Sequence, residues 1–311
     1  MSADGDIIAI GAYLNSQVAL FSGQTTVYEW DGTTWDQIGD AINGENENDL
    51  SGGSVFLNDD GSKLFIGETA GTADGRIRTF DWNGSNWIEG VEINDTEVGF
   101  GVINDIDATG TTLLAGGMSG AMSQGVNKIF EFDGTSWTQK GSTIEGDQGS
   151  DFLGFQAGAI NDEGSTIILG AITGGAGYAR VFTFDGTNWV QEGDDILGEG
   201  NAVQFGRSVT MNSTGSIVSV GTRLNSEPNT NAGLVRAFEN KTLGIEENSL
   251  VSIVALPNPV NDIVQISAFD TISKITIYNL LGQELDRFYF ELLHLLHLPK
   301  LLVQLEQYSQ Y

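Results

Sequence analysis

Short apolar runs of four to eight residues, separated by Gly, Asn and Asp, follow one another along most of the chain. Val, Ile, Phe and Trp dominate runs such as SVFLN, KLFIG and RIRTFDW, and these residue types favour β-strands. No segment of 1–242 shows the 3.6-residue periodicity of an amphipathic helix. The pattern therefore predicts an all-β region over 1–242.

The runs form a repeat. Related six-residue strings start at positions 30, 82, 132 and 184, as WDGTTW, WNGSNW, FDGTSW and FDGTNW. A second element keeps the same step, as NDDGSKLFIG at 58–67, NDEGSTIILG at 161–170 and NSTGSIVSVG at 212–221. Each unit contains four predicted strands, which we label A to D. Units of this size and composition are typical of the blades of a β-propeller.

An Asp-Gly or Asn-Gly pair separates strands C and D in four units, which favours a two-residue hairpin turn. Counting outward from such a turn predicts that Tyr28 faces Trp35 across the ladder. The same count predicts the pairs Phe80–Trp87, Phe130–Trp137 and Phe182–Trp189. We expect these aromatic pairs to be buried between stacked sheets.

Five units are represented, and both terminal units are incomplete. The first unit, at residue 1, lacks strand A, and the last, which reaches residue 240, lacks strand D. The sequence therefore predicts a β-propeller of about five four-stranded blades, with an open or incomplete ring. The pattern is that of a piece cut from a longer array.

Charge and composition exclude several functions. The chain has 42 acidic and 13 basic residues, a net charge of −29 and no cysteine. Such an acidic surface repels phosphate backbones, so nucleic-acid binding is not expected. The missing cysteines exclude disulfides and thiolate chemistry. No apolar run reaches the roughly 20 residues of a membrane-spanning helix.

The recurring order FG-x-SV, DG, AIGA and W-D-G-T-x-W resembles secreted bacterial propeller repeats related to the FG-GAP repeats of integrin α chains. That resemblance implies calcium binding through an Asp-rich hairpin in some blades. Only Asp105 and Asp107 come near the required spacing, so they are candidate calcium ligands. The other A–B turns depart from it, and their Asn and Asp residues are ordinary turn formers. No other cofactor is expected.

Composition changes near residue 243, because 1–242 contains all six Trp and 40 of the 42 Gly. Residues 243–290 resemble the C-terminal type A sorting domain of the type IX secretion system. The matching residues are Pro257, Asn258, Pro259, Asp262, Tyr278, Asn279 and Gly282. The resemblance implies a small β-sandwich, truncated here, that is recognised by the secretion machinery. It also implies a location outside the cell or on the outer-membrane surface of a Gram-negative bacterium.

Residues 291–311 depart from that family. This stretch has eight Leu and both His of the chain, and it is predicted to be an aberrant tail produced by a shifted reading frame. The opening MSADGDIIAIGA has no basic segment followed by a continuous apolar run, so no signal peptide is predicted. Exported proteins need one, and we expect it to have been lost with the N-terminus.

These observations predict a non-enzymatic binding or adhesion module, exported by the type IX secretion system, with an extracellular protein or glycan as partner. A propeller that binds or degrades polysaccharides is the first alternative. Degradation would use a pair of carboxylates, and no spacing singles out such a pair. The tryptophans Trp35, Trp87, Trp137 and Trp189 could stack on sugars, but blade packing also explains them. A non-functional gene fragment is the second alternative.

Overall fold

The computed structural model describes eight segments with their side chains: 1–69, 75–95, 100–117, 124–155, 157–172, 176–198, 204–225 and 232–239. Beyond residue 239 it describes the backbone of five strands. All regular elements in these described parts are β-strands.

Five antiparallel sheets follow one another along the first 239 residues, one for each sequence unit, and we call them blades 1 to 5. Blade 1 contains β1 (Ile7–Gly11), β2 (Gln24–Trp30), β3 (Trp35–Gln37) and β4 (Ile42–Asn43). Blade 2 contains β5 (Ser54–Leu57), β6 (Lys63–Glu68), β7 (Arg76–Trp82), β8 (Trp87–Glu89) and β9 (Ile93–Asn94). Blade 3 contains β10 (Val102–Ile106), β11 (Thr112–Gly117), β12 (Val126–Phe132), β13 (Trp137–Gln139) and β14 (Ile144–Glu145).

The last two blades follow the same order. Blade 4 contains β15 (Gly158–Ile160), β16 (Thr166–Ala171), β17 (Tyr178–Phe184) and β18 (Trp189–Leu197). Blade 5 contains β19 (Ser208–Met211), β20 (Ile217–Thr222) and β21 (Leu234–Glu239). Within each blade, each long strand pairs with the next long strand along the chain. The predicted fold class, an all-β propeller with an open row of blades, is confirmed.

Five more strands lie in the C-terminal region: β22 (Ile253–Leu256), β23 (Ile263–Ala268), β24 (Lys274–Tyr278), β25 (Glu284–Tyr289) and β26 (Leu301–Gln304). Strand β22 pairs with β21 and so takes the fourth position of blade 5. The same sheet continues through β23 and β26, while β24 and β25 form a separate hairpin. Strand β26 lies within 291–311. The domain boundary near 243 and the frameshift origin of 291–311 stay predictions.

The predicted register of the C–D hairpins is wrong by two residues. Trp35 faces Trp30 rather than Tyr28. In the next three blades the observed pairs are Trp82–Trp87, Phe132–Trp137 and Phe184–Trp189, while Phe80, Phe130 and Phe182 face Glu89, Gln139 and Gln191. Because the shift is two residues, the aromatic side chains stay on the predicted face of each sheet.

Hydrogen bonds of the turn aspartate explain the shift. Asp31 Oδ1 accepts hydrogen bonds from the amides of Thr33 and Thr34, at 2.6 and 2.7 Å. The Asp31 amide donates to the Thr34 carbonyl, so the two loop residues are Gly32 and Thr33. Gly32 supplies the positive φ of +96° that the loop requires. The same bonding moves the turn by one residue in blades 2 to 4.

The hydrophobic cores lie between consecutive blades. Phe65 and Ile77 of blade 2, for example, share a core with Leu113 and Phe130 of blade 3. Equivalent clusters join blades 1 and 2, blades 3 and 4, and blades 4 and 5. The predicted inter-blade residues Phe80, Trp87, Phe130, Phe182 and Trp189 are buried, Tyr28 and Trp137 are half-buried, and Trp35 is exposed. Each blade therefore depends on its neighbours for stability.

A backbone approach that only glycine allows occurs at the joints. A Cβ atom on Gly177 would lie 2.1 Å from the carbonyl oxygen of Phe205, in the loop that opens blade 5. A Cβ atom on Gly23 would lie similarly close to the carbonyl oxygen of Ser51, and one on Gly125 to that of Leu153. The three glycines also have positive φ angles. These residues fix the distance between neighbouring sheets.

A row of backbone hydrogen bonds joins all five A–B turns, and we call it the turn ladder. It runs from the Ala3 amide to the Asp59 carbonyl, from the Asp59 amide to Ala108, from Ala108 to Asp162, and from Asp162 to Ser213. The four bonds measure 2.9, 3.0, 3.3 and 3.0 Å. The ladder places the A–B turns of successive blades side by side.

We predict that Gly177→Ala destabilises the protein far more than Gly186→Ala. Both glycines have positive φ, but a Cβ on Gly186 meets nothing within 4 Å, so that variant isolates backbone strain. We expect Gly186→Ala to cost about 1–2 kcal/mol, and Gly177→Ala about 3 kcal/mol or more because blade 5 must move. Urea unfolding measures both. Equal losses would contradict the role assigned to the joint.

Candidate functional site

The basic side chains of strand C bind carboxylates at the joints. Lys128 Nζ lies 2.7 Å from Asp95 Oδ2, which comes from the connection that leaves blade 2. Arg180 binds Asp195 at 2.7 Å and also binds Asp147, from the connection that leaves blade 3. These hydrogen bonds to Asp195 and Asp147 raise the pKa of Arg180 above its ordinary value. The Lys128–Asp95 and Arg180–Asp147 pairs thus connect neighbouring blades, while the Arg180–Asp195 pair lies within blade 4.

The two candidate calcium ligands bind backbone amides. Asp107 Oδ1 accepts hydrogen bonds from Thr111 and Thr112 of its own turn, at 2.8 and 2.9 Å. Asp105 Oδ2 accepts one from the Ile160 amide of blade 4, at 3.0 Å. Calcium requires six to eight oxygen ligands. Within the described residues, no group of three or more Asp, Glu, His or Cys side chains could hold a metal ion. The assignment of Asp105 and Asp107 as calcium ligands stays a prediction.

A cleft of about 550 Å³ opens between the innermost strands of blades 2 and 3. Its walls include Phe56 of blade 2, Val102 of blade 3 and Leu50 of the loop between blades 1 and 2. Polar groups are supplied by Tyr13, Ser54, Thr69 and Asn104. None of the described residues that line the cleft is charged, although the whole chain carries a net charge of −29.

Asn104 lines the cleft, and its buried side chain contacts blade 4. Its Nδ2 donates to the Gly154 carbonyl of blade 4 at 2.6 Å, which fixes the orientation of the amide group. Its Oδ1 is buried and has no hydrogen-bond partner. An unsatisfied buried acceptor costs about 1–3 kcal/mol.

A loop with exposed apolar side chains begins at the rim of the cleft. Tyr13, which lines the cleft, is half exposed. Leu14, Val18 and Leu20 of the same loop, which joins β1 to β2, are also exposed. The loop thus continues the apolar lining of the cleft along the surface. Pockets with apolar walls and a few oriented polar groups are typical ligand sites.

Sequence analysis missed the cleft, although one signal was present. Strand A of blade 3 contains the polar pair Asn104 and Asp105, and in the ladder Asn104 is an extra residue at a β-bulge between Ile103 and Asp105. Only Asp105 was interpreted, through its spacing to Asp107. The proximity of two strands about 50 residues apart, and of Tyr13 to both, follows from blade stacking.

Most of the predicted sorting residues, namely Pro257, Asn258, Pro259, Asp262, Asn279 and Gly282, lie outside the described residues. Tyr278 is the last residue of β24. Residues 255–291 match the family model of the secretion system C-terminal sorting domain. The chain is thus a secreted protein of the type IX system, delivered to the cell surface or the extracellular space. The described residues contain no helix that could cross a lipid bilayer.

Similarity to solved structures concerns the fold. The chain resembles the periplasmic gluconolactonase of Pseudomonas aeruginosa, with a TM-score of 0.53 and 12% identity, over 92% of this chain and 82% of that one. A protein from Lactobacillus plantarum gives a TM-score of 0.52 and 12% identity, over 90% and 80%. The β-propeller domain of the trilobed protease from Pyrococcus furiosus gives 0.48 and 11%, over 86% and 75%. No curated protein matches the sequence.

We predict that Asp105→Asn changes how stability depends on pH. Burial raises the pKa of Asp105 to about 6, against the hydrogen bonds from the Ile160 and Ile106 amides. The folded state therefore keeps this proton up to a higher pH than the unfolded state does. The resulting stabilisation is complete below about pH 4 and is lost as the pH rises through 6.

Because Asn does not ionise, the free energy of unfolding of the variant relative to the natural protein should rise by roughly 2 kcal/mol between about pH 4 and pH 7. The change with pH is diagnostic even if the lost hydrogen bond shifts both values. Asp133→Asn is the control. Hydrogen bonds from the Thr135 hydroxyl and from the amides of Ser136 and Thr135 lower the pKa of Asp133 to about 2, so the folded protein keeps this carboxylate ionised between about pH 4 and pH 7. A pH-independent difference for Asp105→Asn would contradict the assignment.

Proposed function

We propose that this secreted protein is a non-enzymatic binding module of the cell surface, and that its cleft binds an uncharged, polyhydroxylated ligand such as a neutral saccharide. The cleft lining carries the proposal, because its described residues offer apolar surface and uncharged polar groups. Sugar hydroxyls are neutral donors and acceptors that suit such groups.

The other lining groups support a sugar. Phe56 and Val102 offer apolar surface for the C–H faces of a pyranose ring, and Tyr13 adds an aromatic ring and a hydroxyl at the rim. The hydroxyl of Ser54 is already used, since it accepts from the Ile103 amide at 3.0 Å. The rim groups, above all the Tyr13 hydroxyl, therefore supply polar contacts that a ligand can make.

Electrostatics favour a neutral ligand over an acidic one. The basic side chains at the joints bind carboxylates, and the protein surface carries a large excess of negative charge. Acidic polysaccharides and phosphorylated ligands would approach against this field. Among the described residues, the cleft lining has no Asp, Glu, His or Lys to act as a general acid or base, which supports binding rather than catalysis.

We predict that the protein binds neutral oligosaccharides and discriminates against uronate-containing or sulfated ones. In titration calorimetry against a panel of both kinds, Tyr13→Ala should weaken binding by about tenfold. Trp35→Ala is the matched control, since Trp35 is an exposed aromatic residue outside the cleft lining. Preferential binding of acidic saccharides, or neutral binding that Tyr13→Ala leaves unchanged, would contradict the proposal.

A further inference from the structure

The two ends of the row of blades carry the two halves of a joint. We call the side of a blade that contacts the preceding blade its trailing face, and the side that contacts the following blade its leading face. In the joint of blades 1 and 2, Ile66, Phe80 and Trp87 belong to the trailing face of blade 2 and Val27 to the leading face of blade 1. Inside the row, such residues are buried.

Blade 1 exposes its trailing face. Ile10, at the position of Ile66 in the repeat, is 49% exposed. Trp35, at the position of Trp87, is 41% exposed, and Trp30 beside it is 38% exposed. Inside the row, the indole N–H of Trp87 donates to the Ile38 carbonyl of the preceding blade at 3.3 Å. The first blade thus presents Ile10, Trp30 and Trp35 of its trailing face to solvent.

Blade 5 exposes the opposite half. Val235, at the position of the fully buried Ile77 in the repeat, is 57% exposed. Ile217, at the first position of strand B, is 46% exposed. The equivalent Ile7 of blade 1 packs against the Gly61 turn of the next blade. The last blade thus presents a leading face that has no blade against it.

The turn ladder has complementary ends. Inside the row each blade donates its turn amide to the carbonyl of the following blade. Within the described part of the chain, the series leaves the Ala3 carbonyl as a free acceptor at blade 1 and the Ser213 amide as a free donor at blade 5. A blade 5 placed before a blade 1 would continue the ladder with the same bond.

We propose that the trailing face of blade 1 binds the leading face of blade 5 of a second copy of this chain. A second copy is needed because both faces are exposed within one chain, so the chain does not close on itself. The binding partner follows from the joints already present, because in each of them a trailing face packs against the leading face of another blade. The interface is heterologous, so each copy keeps one free face unless the assembly closes.

Charge makes this association depend on salt. Two copies with a net charge of −29 each repel one another, while the facing residues Ile10, Trp30, Trp35, Ile217 and Val235 are apolar or aromatic and uncharged. Salt screens the repulsion and leaves the apolar contact intact. Association should therefore strengthen as the ionic strength rises.

Sedimentation of the full chain at increasing concentration and salt tests the proposal. We expect salt-promoted association with a blue shift of tryptophan emission. Ile10→Asp at one end and Val235→Asp at the other should each weaken association by about tenfold or more. Ile88→Asp is the matched control, because Ile88 is 51% exposed in blade 2, inside the row. Circular dichroism confirms that each variant is folded.

Mixing the two end variants gives the decisive result. Ile10→Asp keeps an intact blade 5 face and Val235→Asp keeps an intact blade 1 face, so a mixture should form a heterodimer although neither variant self-associates. A natural chain that stays monomeric at submillimolar concentration in high salt would overturn the proposal. Association that neither substitution weakens would also overturn it, as would a mixture that forms no dimer.

Discussion

The structure depends on one steric constraint, the close approach of two backbones at the joint between blades. A Cβ atom on Gly23, Gly125 or Gly177 would lie only 2.1 to 2.2 Å from a carbonyl oxygen of the next blade. No side chain fits there, so the spacing of the sheets is set by the backbone. At that spacing the apolar faces of neighbouring blades meet, and the cores form between sheets. The repeat sequence therefore specifies the contact between neighbouring blades as well as the blade itself.

The functional features follow from the same joint. Stacking brings the strands A of blades 2 and 3 together, and the cleft forms where strand A of blade 3 contains the bulged residue Asn104. Basic side chains near the joints, such as those of Lys128 and Arg180, form ion pairs with carboxylates. The net charge of −29 leaves a strongly acidic surface, which would repel anionic ligands. Export by the sorting domain places such a surface outside the cell.

The features that could be predicted from the sequence are those set by interactions between residues close together along the chain. Turn residues and strand-forming runs act over a few residues, so the five blades and their order were predictable. The hairpin register was not, because the Asp31 carboxylate binds two amides and moves the turn to Gly32 and Thr33. The pairing of β22 with blade 5 and the proximity of Tyr13 to Asn104 depend on long-range contacts. No local pattern signals contacts of that kind.

Native-state hydrogen exchange tests the central claim most directly, because it measures the joints separately from the sheets. The amides of Asp59, Ala108 and Asp162 donate only between blades, in the turn ladder. If the joints hold the fold together, these amides should exchange as slowly as the strand amides of Leu113 and Ile167, through global unfolding. Rapid exchange at the ladder beside protected strands would contradict the account, since it would mean that the sheets persist without their joints.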